Sequence, residues 1–176
     1  MTQSSGSVTL VLGGARSGKS RHAETICRET GRALIYVATA EAHDDEMMAR
    51  IAQHRADRAA DGWQTIEEPR DLAAILKGET EPGRVLLVDC LTLWLTNHLL
   101  ADADVEAEIE ALCAAVSASS ADLVLVANEV GFGIVPENKL ARAFRDHAGR
   151  LNQRIAGIAD RVTLVVAGIP VQVKGN

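Results

Sequence analysis

The sequence predicts an α/β fold of three layers, with a mostly parallel central sheet between helices. Two observations predict it. Short, almost wholly apolar runs rich in Val, Leu and Ile alternate along the chain with longer segments of helical periodicity, the pattern of strand-helix-strand crossovers. The runs lack polar alternation, as expected of strands covered on both faces. A length of 176 residues, 47% hydrophobic and 24% charged, suits one domain spanning 1–176 with one substantial core.

The strand runs are 8–12, 33–37, 84–89, 122–127 and 161–167. Helical spacing marks 19–30, 44–60, 69–77, 91–101, 105–117 and 137–159. Behind Gly168, residues 169–174 alternate apolar and polar and predict an antiparallel edge strand at the C-terminus. The looser stretches 78–83 and 117–121 are only long enough to connect elements, and there is no internal repeat.

Composition excludes several functions. A net charge of -6 and a pI near 5.4 argue against nucleic acid as a partner, because phosphate backbones need clustered Lys and Arg. No apolar run approaches the roughly 20 residues of a membrane span, and 1–7 lacks the charged start and apolar stretch of a secretion signal; a cytoplasmic location is expected. Cys27, Cys90 and Cys113 are widely separated and read as small buried hydrophobes.

The first strand leads into Gly13-Gly14-Ala15-Arg16-Ser17-Gly18-Lys19-Ser20, and a helix follows. A glycine, four residues and Gly-Lys-Ser between strand and helix is the phosphate loop of P-loop NTPases. Glycines let backbone N–H groups face phosphate oxygens, and the helix start adds positive potential. Lys19 is placed to reach the β- and γ-phosphates, and Ser20 to hold Mg2+. Leu86-Leu87-Val88-Asp89 supplies the second expected element, an apolar strand ending in a carboxylate that holds the same ion. An acidic strand end is otherwise an ordinary cap or loop residue, and the phosphate loop is what gives Asp89 this role.

In the segment 44–60, Met47, Arg50, Ile51, His54 and Arg58 recur at helical spacing, which sets His54 between two arginines. Flanking positive charge favours a neutral imidazole, the nucleophilic form. Spacing alone favours the plainer reading, a mixed-charge surface helix with an incidental histidine. His22, His43, His98 and His147 have no such setting, and His43 before Asp44-Asp45-Glu46 reads as part of a helix start.

With these pieces in place the chain resembles the bifunctional adenosylcobinamide kinase / adenosylcobinamide-phosphate guanylyltransferase family nearly end to end. The carriers are the loop through Arg21, Tyr36-Val37-Ala38-Thr39-Ala40, Asp44-Asp45-Glu46-Met47 with Arg50-Ile51 and His54-Arg55, Trp63 to Glu67, and Val88-Asp89-Cys90-Leu91-Thr92. Asn128-Glu129-Val130-Gly131, Ile134-Val135-Pro136-Glu137-Asn138, Arg145-Asp146 and Gly149-Arg150-Leu151-Asn152-Gln153 complete the set.

The resemblance implies a RecA-like P-loop fold and two reactions. Adenosylcobinamide is phosphorylated by ATP or GTP, and GMP from GTP is then transferred to adenosylcobinamide phosphate to give adenosylcobinamide-GDP. It further implies a histidine-GMP intermediate on His54, nucleotide contacts at Ala38, Thr39, Ala40, Arg55, Ala56, Asp57, Arg58 and Glu67, and a homotrimer. In one departure from the family, no proline precedes Trp63, where Arg58-Ala59-Ala60-Asp61-Gly62 predicts a looser turn. Two rival readings keep the phosphate loop: a kinase for another small alcohol, which forms no covalent adduct, and a nucleotide-switched assembly module.

Overall fold

The computed structural model describes residues 6–42, 45–79 and 81–175; in its second helix the side chains of Glu46, Met47, Arg50, His54 and Asp57 lie outside that description, as do His43 and Asp44. The strands are β1 (Val8–Gly13), β2 (Ala33–Ala38), β3 (Gln64–Glu67), β4 (Arg84–Asp89), β5 (Asp122–Asn128), β6 (Arg161–Val166) and β7 (Ile169–Lys174). Between them run α1 (Lys19–Glu29), α2 (Asp45–Ala60), α3 (Leu72–Gly78), α4 (Leu91–Leu100), α5 (Val105–Ala118) and α6 (Lys139–Ile158). They form one seven-stranded sheet in the order β3-β2-β4-β5-β1-β6-β7. All neighbours are parallel except β6 and β7, as the sequence predicts.

The sheet separates two apolar layers. On one face Leu10, Val37, Leu86, Val88 and Leu125 pack with Leu76 of α3, Trp94 of α4, Ile109 of α5 and Leu151 of α6. On the other, Val11, Leu87 and Val126 pack with Ala23 and Cys27 of α1, and Tyr36 meets Trp63. Leu10, Leu86 and Leu125 are fully buried, and truncating any of them to alanine costs about 2–5 kcal/mol.

The structure differs from the sequence expectation in two places. β3 carries no apolar run: Gln64-Thr65-Ile66-Glu67 is a short edge strand whose residues are exposed or half-buried, so it lacks the signal of its covered neighbours. α3 starts at Leu72 because the Asp71 carboxylate accepts from the Ala74 N–H (3.1 Å) and so caps the helix. Pro69 and Arg70 belong to the preceding turn, where Glu68 Oε1 accepts from the N–H groups of Arg70 and Asp71.

The turn before Trp63 is closed without a proline. Gly62 takes a φ of 85°, and the Arg58 carbonyl accepts from the N–H groups of Asp61 and Trp63. Arg28 of α1 then ties the turn down through Asp61 (3.0 Å) and lies 5.7 Å from the Trp63 ring centroid.

Candidate active site

Among the described residues, side chains cap α3 from Asp71, α5 from Asp104 and α6 from Asn138. α1 has none. Its cap position is Gly18 at φ 94°, a conformation costly to other residues, so the first N–H groups of α1 remain available to an anion. Arg16 is also left-handed (φ 55°), which curls the loop between β1 and α1. Inside the curl Ser17 Oγ is buried without a partner, and a Cβ on Gly13 would stand 2.4 Å from it. The Lys19 ammonium spans the loop to the Gly14 carbonyl at 3.1 Å. Such a cradle of N–H groups, a hydroxyl and a cation suits a polyphosphate.

The turn joining β6 to β7 supports this cradle. Ala167 (φ 51°) and Gly168 (φ 80°) form a two-residue hairpin turn, and the Gly168 N–H donates to the Ser17 carbonyl at 2.7 Å. A side chain on Gly18 would meet Gly168 Cα at 3.2 Å, so the two backbones touch at glycines.

Strand register carries the rest of the site to the same edge. Ala38 of β2 stands opposite Glu67 on one side and Asp89 on the other. Two strands further along, Gly13 of β1 stands opposite Asn128 of β5. The carboxyl ends of parallel strands thus form a row from Glu67 through Asp89 and Asn128 to the phosphate loop, the usual place for ligands in open α/β sheets.

Asp89 is held from below. The Tyr36 hydroxyl donates to its Oδ2 at 2.9 Å, and the Arg58 guanidinium of α2 lies 3.8 Å from the Tyr36 ring centroid. Burial, reinforced by the Asp89 charge and hydrogen bond, pushes the Tyr36 phenol well above its ordinary range, so it remains a donor. Glu24, one helical turn after Ser20, is also raised, by burial first and then by Asp89 and Asp61 against the opposing pull of Arg28 and Arg58. Burial pushes the Cys27 thiol up to about 12, which removes it as a nucleophile at neutral pH.

Beyond Glu67 a cleft of about 590 Å³ opens between α2 and the ends of β2 and β3, lined by Ala40, Ile51, Arg55, Ala56 and Glu67. Arg55 and Glu67 face each other across it at 3.4 Å, a largely exposed pair.

A family model described as cobinamide kinase / cobinamide phosphate guanyltransferase matches residues 9–173. The chain belongs to this family. It is 54% identical over 169 residues to the bifunctional adenosylcobalamin biosynthesis protein CobP of Pseudomonas aeruginosa, covering 95% of this chain and 97% of that one. It is 46% identical over 180 residues to the bifunctional adenosylcobalamin biosynthesis protein CobU of Escherichia coli, covering 94% and 98%. Among solved structures, the flagellar accessory protein FlaH of Methanocaldococcus jannaschii superimposes with a TM-score of 0.54 at 14% identity, over 98% of this chain and 80% of that one. A Pyrococcus horikoshii protein does so with 0.60 at 10% identity, over 97% and 87%. These last two show the fold alone.

This cobinamide kinase / guanyltransferase is therefore a bifunctional enzyme of adenosylcobalamin biosynthesis, a kinase and a nucleotidyltransferase built on a P-loop sheet. Its expected contact residues fall into two groups. Gly13 to Ser20 form the phosphate loop and Asp89 ends β4, two strands away on the same edge of the sheet, while Ala40, Arg55, Ala56 and Glu67 line the α2 cleft. Ala38 joins the groups through its register, and Arg58 joins them through Tyr36. Thr39 is different: it is fully buried, and its hydroxyl donates to the Cys90 carbonyl while accepting from the Cys90 N–H, both at 2.8 Å. Its side chain fixes the chain path just after Asp89. His54 and Asp57 lie on α2, but their side chains are outside the described residues.

Sequence reasoning gave no site role to Tyr36, Gly168 or Asn128. Tyr36 stood only among the motif residues, since an aromatic in an apolar strand reads as core. Gly168 was legible as a turn, but nothing local ties a turn at residue 168 to a loop at residue 17.

Proposed function

We propose that one edge of the sheet serves both reactions of this enzyme, with the phosphate loop holding the triphosphate and His54 carrying GMP between donor and acceptor. The observation that supports it is the chain Arg58–Tyr36–Asp89, which ties the helix bearing His54 to a carboxylate on the same sheet edge as the phosphate loop.

In the kinase reaction the aminopropanol hydroxyl of adenosylcobinamide attacks the γ-phosphorus of ATP or GTP. The bond from that phosphorus to the β-phosphate oxygen breaks, and the nucleoside diphosphate leaves. Positioning and charge neutralisation carry most of such a step, and Lys19 with the α1 N–H groups supplies both. In the guanylyl transfer an imidazole nitrogen of His54 attacks the α-phosphorus of GTP and pyrophosphate leaves. A phosphate oxygen of adenosylcobinamide phosphate then attacks the same phosphorus and frees the histidine.

Mg2+ fits the donors present. Ser20 and Asp89 offer hard oxygen ligands, and Tyr36 occupies only one Asp89 oxygen. Phosphate oxygens and water would complete the shell of an Mg2+ held by Ser20 and Asp89. Bound there, Mg2+ offsets negative charge on the triphosphate.

Exposed apolar residues at Leu100, Leu140 and along β7, where Ile169, Val171 and Val173 are 48–65% exposed, support the proposed homotrimer. Light scattering of the eluted enzyme tests it, and a monomer overturns it.

The chemistry is tested by incubating enzyme with GTP labelled at the α-phosphate. A labelled, acid-labile and alkali-stable protein adduct is expected, discharged by adenosylcobinamide phosphate and absent from Lys19→Met. Undiminished labelling of His54→Asn sinks the assignment of the histidine, and loss of its kinase activity in the folded variant sinks the separation of roles.

A further inference from the structure

β5 lies between the strand that ends in the phosphate loop and the strand that ends in Asp89. Whatever follows β5 therefore emerges between the triphosphate and the metal carboxylate. The residue there is Glu129. Its N–H donates to the Gly13 carbonyl at 3.0 Å, which extends the β1–β5 pairing by one residue and fixes Glu129 beside the first glycine of the loop. From this placement we infer that Glu129 is the proton acceptor of the kinase reaction, taking the hydroxyl proton of the alcohol as its oxygen attacks the γ-phosphorus.

The local geometry suits this role. One carboxylate oxygen, Oε1, accepts from the Gly131 N–H at 2.7 Å and is thereby oriented. A Cβ on Gly131 would stand 2.8 Å from that oxygen, so the loop wraps the carboxylate closely only because residue 131 is glycine. No hydrogen bond or ion pair takes Oε2 among the described residues, and Glu129 is half-buried, so one oxygen is oriented and the other open. Asp89, the other acidic group on this row, is engaged by Tyr36 and placed for the metal.

The surroundings suit the acceptor as well. Directly after Glu129 the chain turns outward and presents Phe132, 85% exposed, and Ile134, 96% exposed. An apolar shelf beside an oriented carboxylate matches an alcohol borne on a large, partly apolar molecule. Directly before Glu129, at the end of β5, Asn128 Oδ1 is buried without a partner, a further acceptor facing no protein donor. In the proposed step the O–H bond breaks, the proton passes to Glu129, the new O–P bond forms and the diphosphate departs. Glu129 then releases the proton to solvent. The His54 reaction removes no hydroxyl proton and makes no such demand.

The inference rests on the kinase reading, and the test keeps the two apart. Wild type, Glu129→Gln and Glu129→Asp are compared for kinase kcat and KM from pH 5 to 9 and for self-labelling by GTP. Glutamine preserves the acceptor for the Gly131 N–H but cannot take a proton. We expect its kinase kcat to fall about 10²–10⁴-fold, the range of general-base effects, with the KM for ATP changed less than about threefold. Self-labelling should stay within about threefold. Glu129→Asp keeps a carboxylate and should retain a kinase kcat well above that of Glu129→Gln; if Glu129→Gln does not fold, a Glu129→Asp kcat lowered with KM and self-labelling unchanged decides the matter alone. A kcat within threefold of wild type in both variants, or equal loss of kinase and self-labelling, overturns the assignment of Glu129. Absence of kinase activity in the wild type instead overturns the kinase reading.

Discussion

The Tyr36 hydroxyl donates to Asp89 Oδ2 at 2.9 Å from within the sheet, on adjacent strands whose register sets Tyr36 two residues before the Ala38–Asp89 pair. The ring is buried and carries Arg58 on its face, so one side chain both orients the Asp89 carboxylate and packs against Arg58 of α2. Tyr36→Phe keeps the ring and removes the donor. Its expected cost is about 1 kcal/mol of stability, as for one lost hydrogen bond, read as a lower urea midpoint at constant slope. Half-maximal turnover should also need more magnesium than in wild type. An unchanged magnesium dependence would show that Asp89 is oriented without the hydroxyl.

Gly168 provides a second test, because it braces the phosphate loop from outside through the Ser17 carbonyl. Its φ of 80° disfavours any side chain, although a Cβ there would meet nothing within 4 Å. Gly168→Ala therefore acts through the backbone alone and should cost about 1–2 kcal/mol. Gly83→Ala is the matched control: φ is 93°, nothing lies within 4 Å, and the position precedes β4 at the opposite end of that strand from Asp89. Both variants should lose similar stability. Only Gly168→Ala should raise the KM for ATP, and an equal rise in both would mean the hairpin turn does not brace the loop.

Glu24 gives a pH dependence whose sign follows from its cause. Burial raises its pKa above the ordinary glutamate value of about 4.5, so the folded state binds this proton more tightly than the unfolded chain does. The contribution of Glu24 to stability is therefore most favourable below about pH 4.5. It is lost as pH rises through the folded value. Glu24→Gln removes the cost of ionisation, so its melting temperature should exceed that of wild type at pH 7 to 8, with the gain shrinking towards pH 4.5. A gain independent of pH would assign the effect to packing instead.

The fold was largely legible because covered parallel strands and long helices carry strong periodic signals, from Val8–Gly13 through Arg161–Val166. β3 escaped because an exposed four-residue edge strand has neither an apolar run nor length. The phosphate loop was legible for a different reason: its chemistry is local, requiring glycines, a lysine and a serine in one turn. Relations set by tertiary register were not legible, since Tyr36 and Asp89 are 53 residues apart and no pattern around either records the other. Glu129 stood between these cases. It was visible as part of the Asn128-Glu129-Val130-Gly131 motif, but its place beside Gly13 depends on β5 lying between β1 and β4.

Arg58 offers a test of whether the two reactions can be separated. Its guanidinium lies over Tyr36, a contact worth about 0.5–2 kcal/mol, and it sits one helical turn after His54 in α2. Arg58→Ala removes the anchor that holds α2 near the row formed by Ala38 and Asp89. On the proposed mechanism, transfer to His54 depends on that seating, whereas attack on the γ-phosphate depends on the phosphate loop and the strand ends. Self-labelling by GTP should therefore slow at least about tenfold, in the range expected when the positioning of a reacting group is lost. Kinase kcat should change less than about threefold. Arg58→Lys should not restore labelling fully, because an ammonium lacks the planar face that stacks on the ring. Equal slowing of both reactions would mean that α2 is seated by other contacts and that Arg58 serves the phosphates in common.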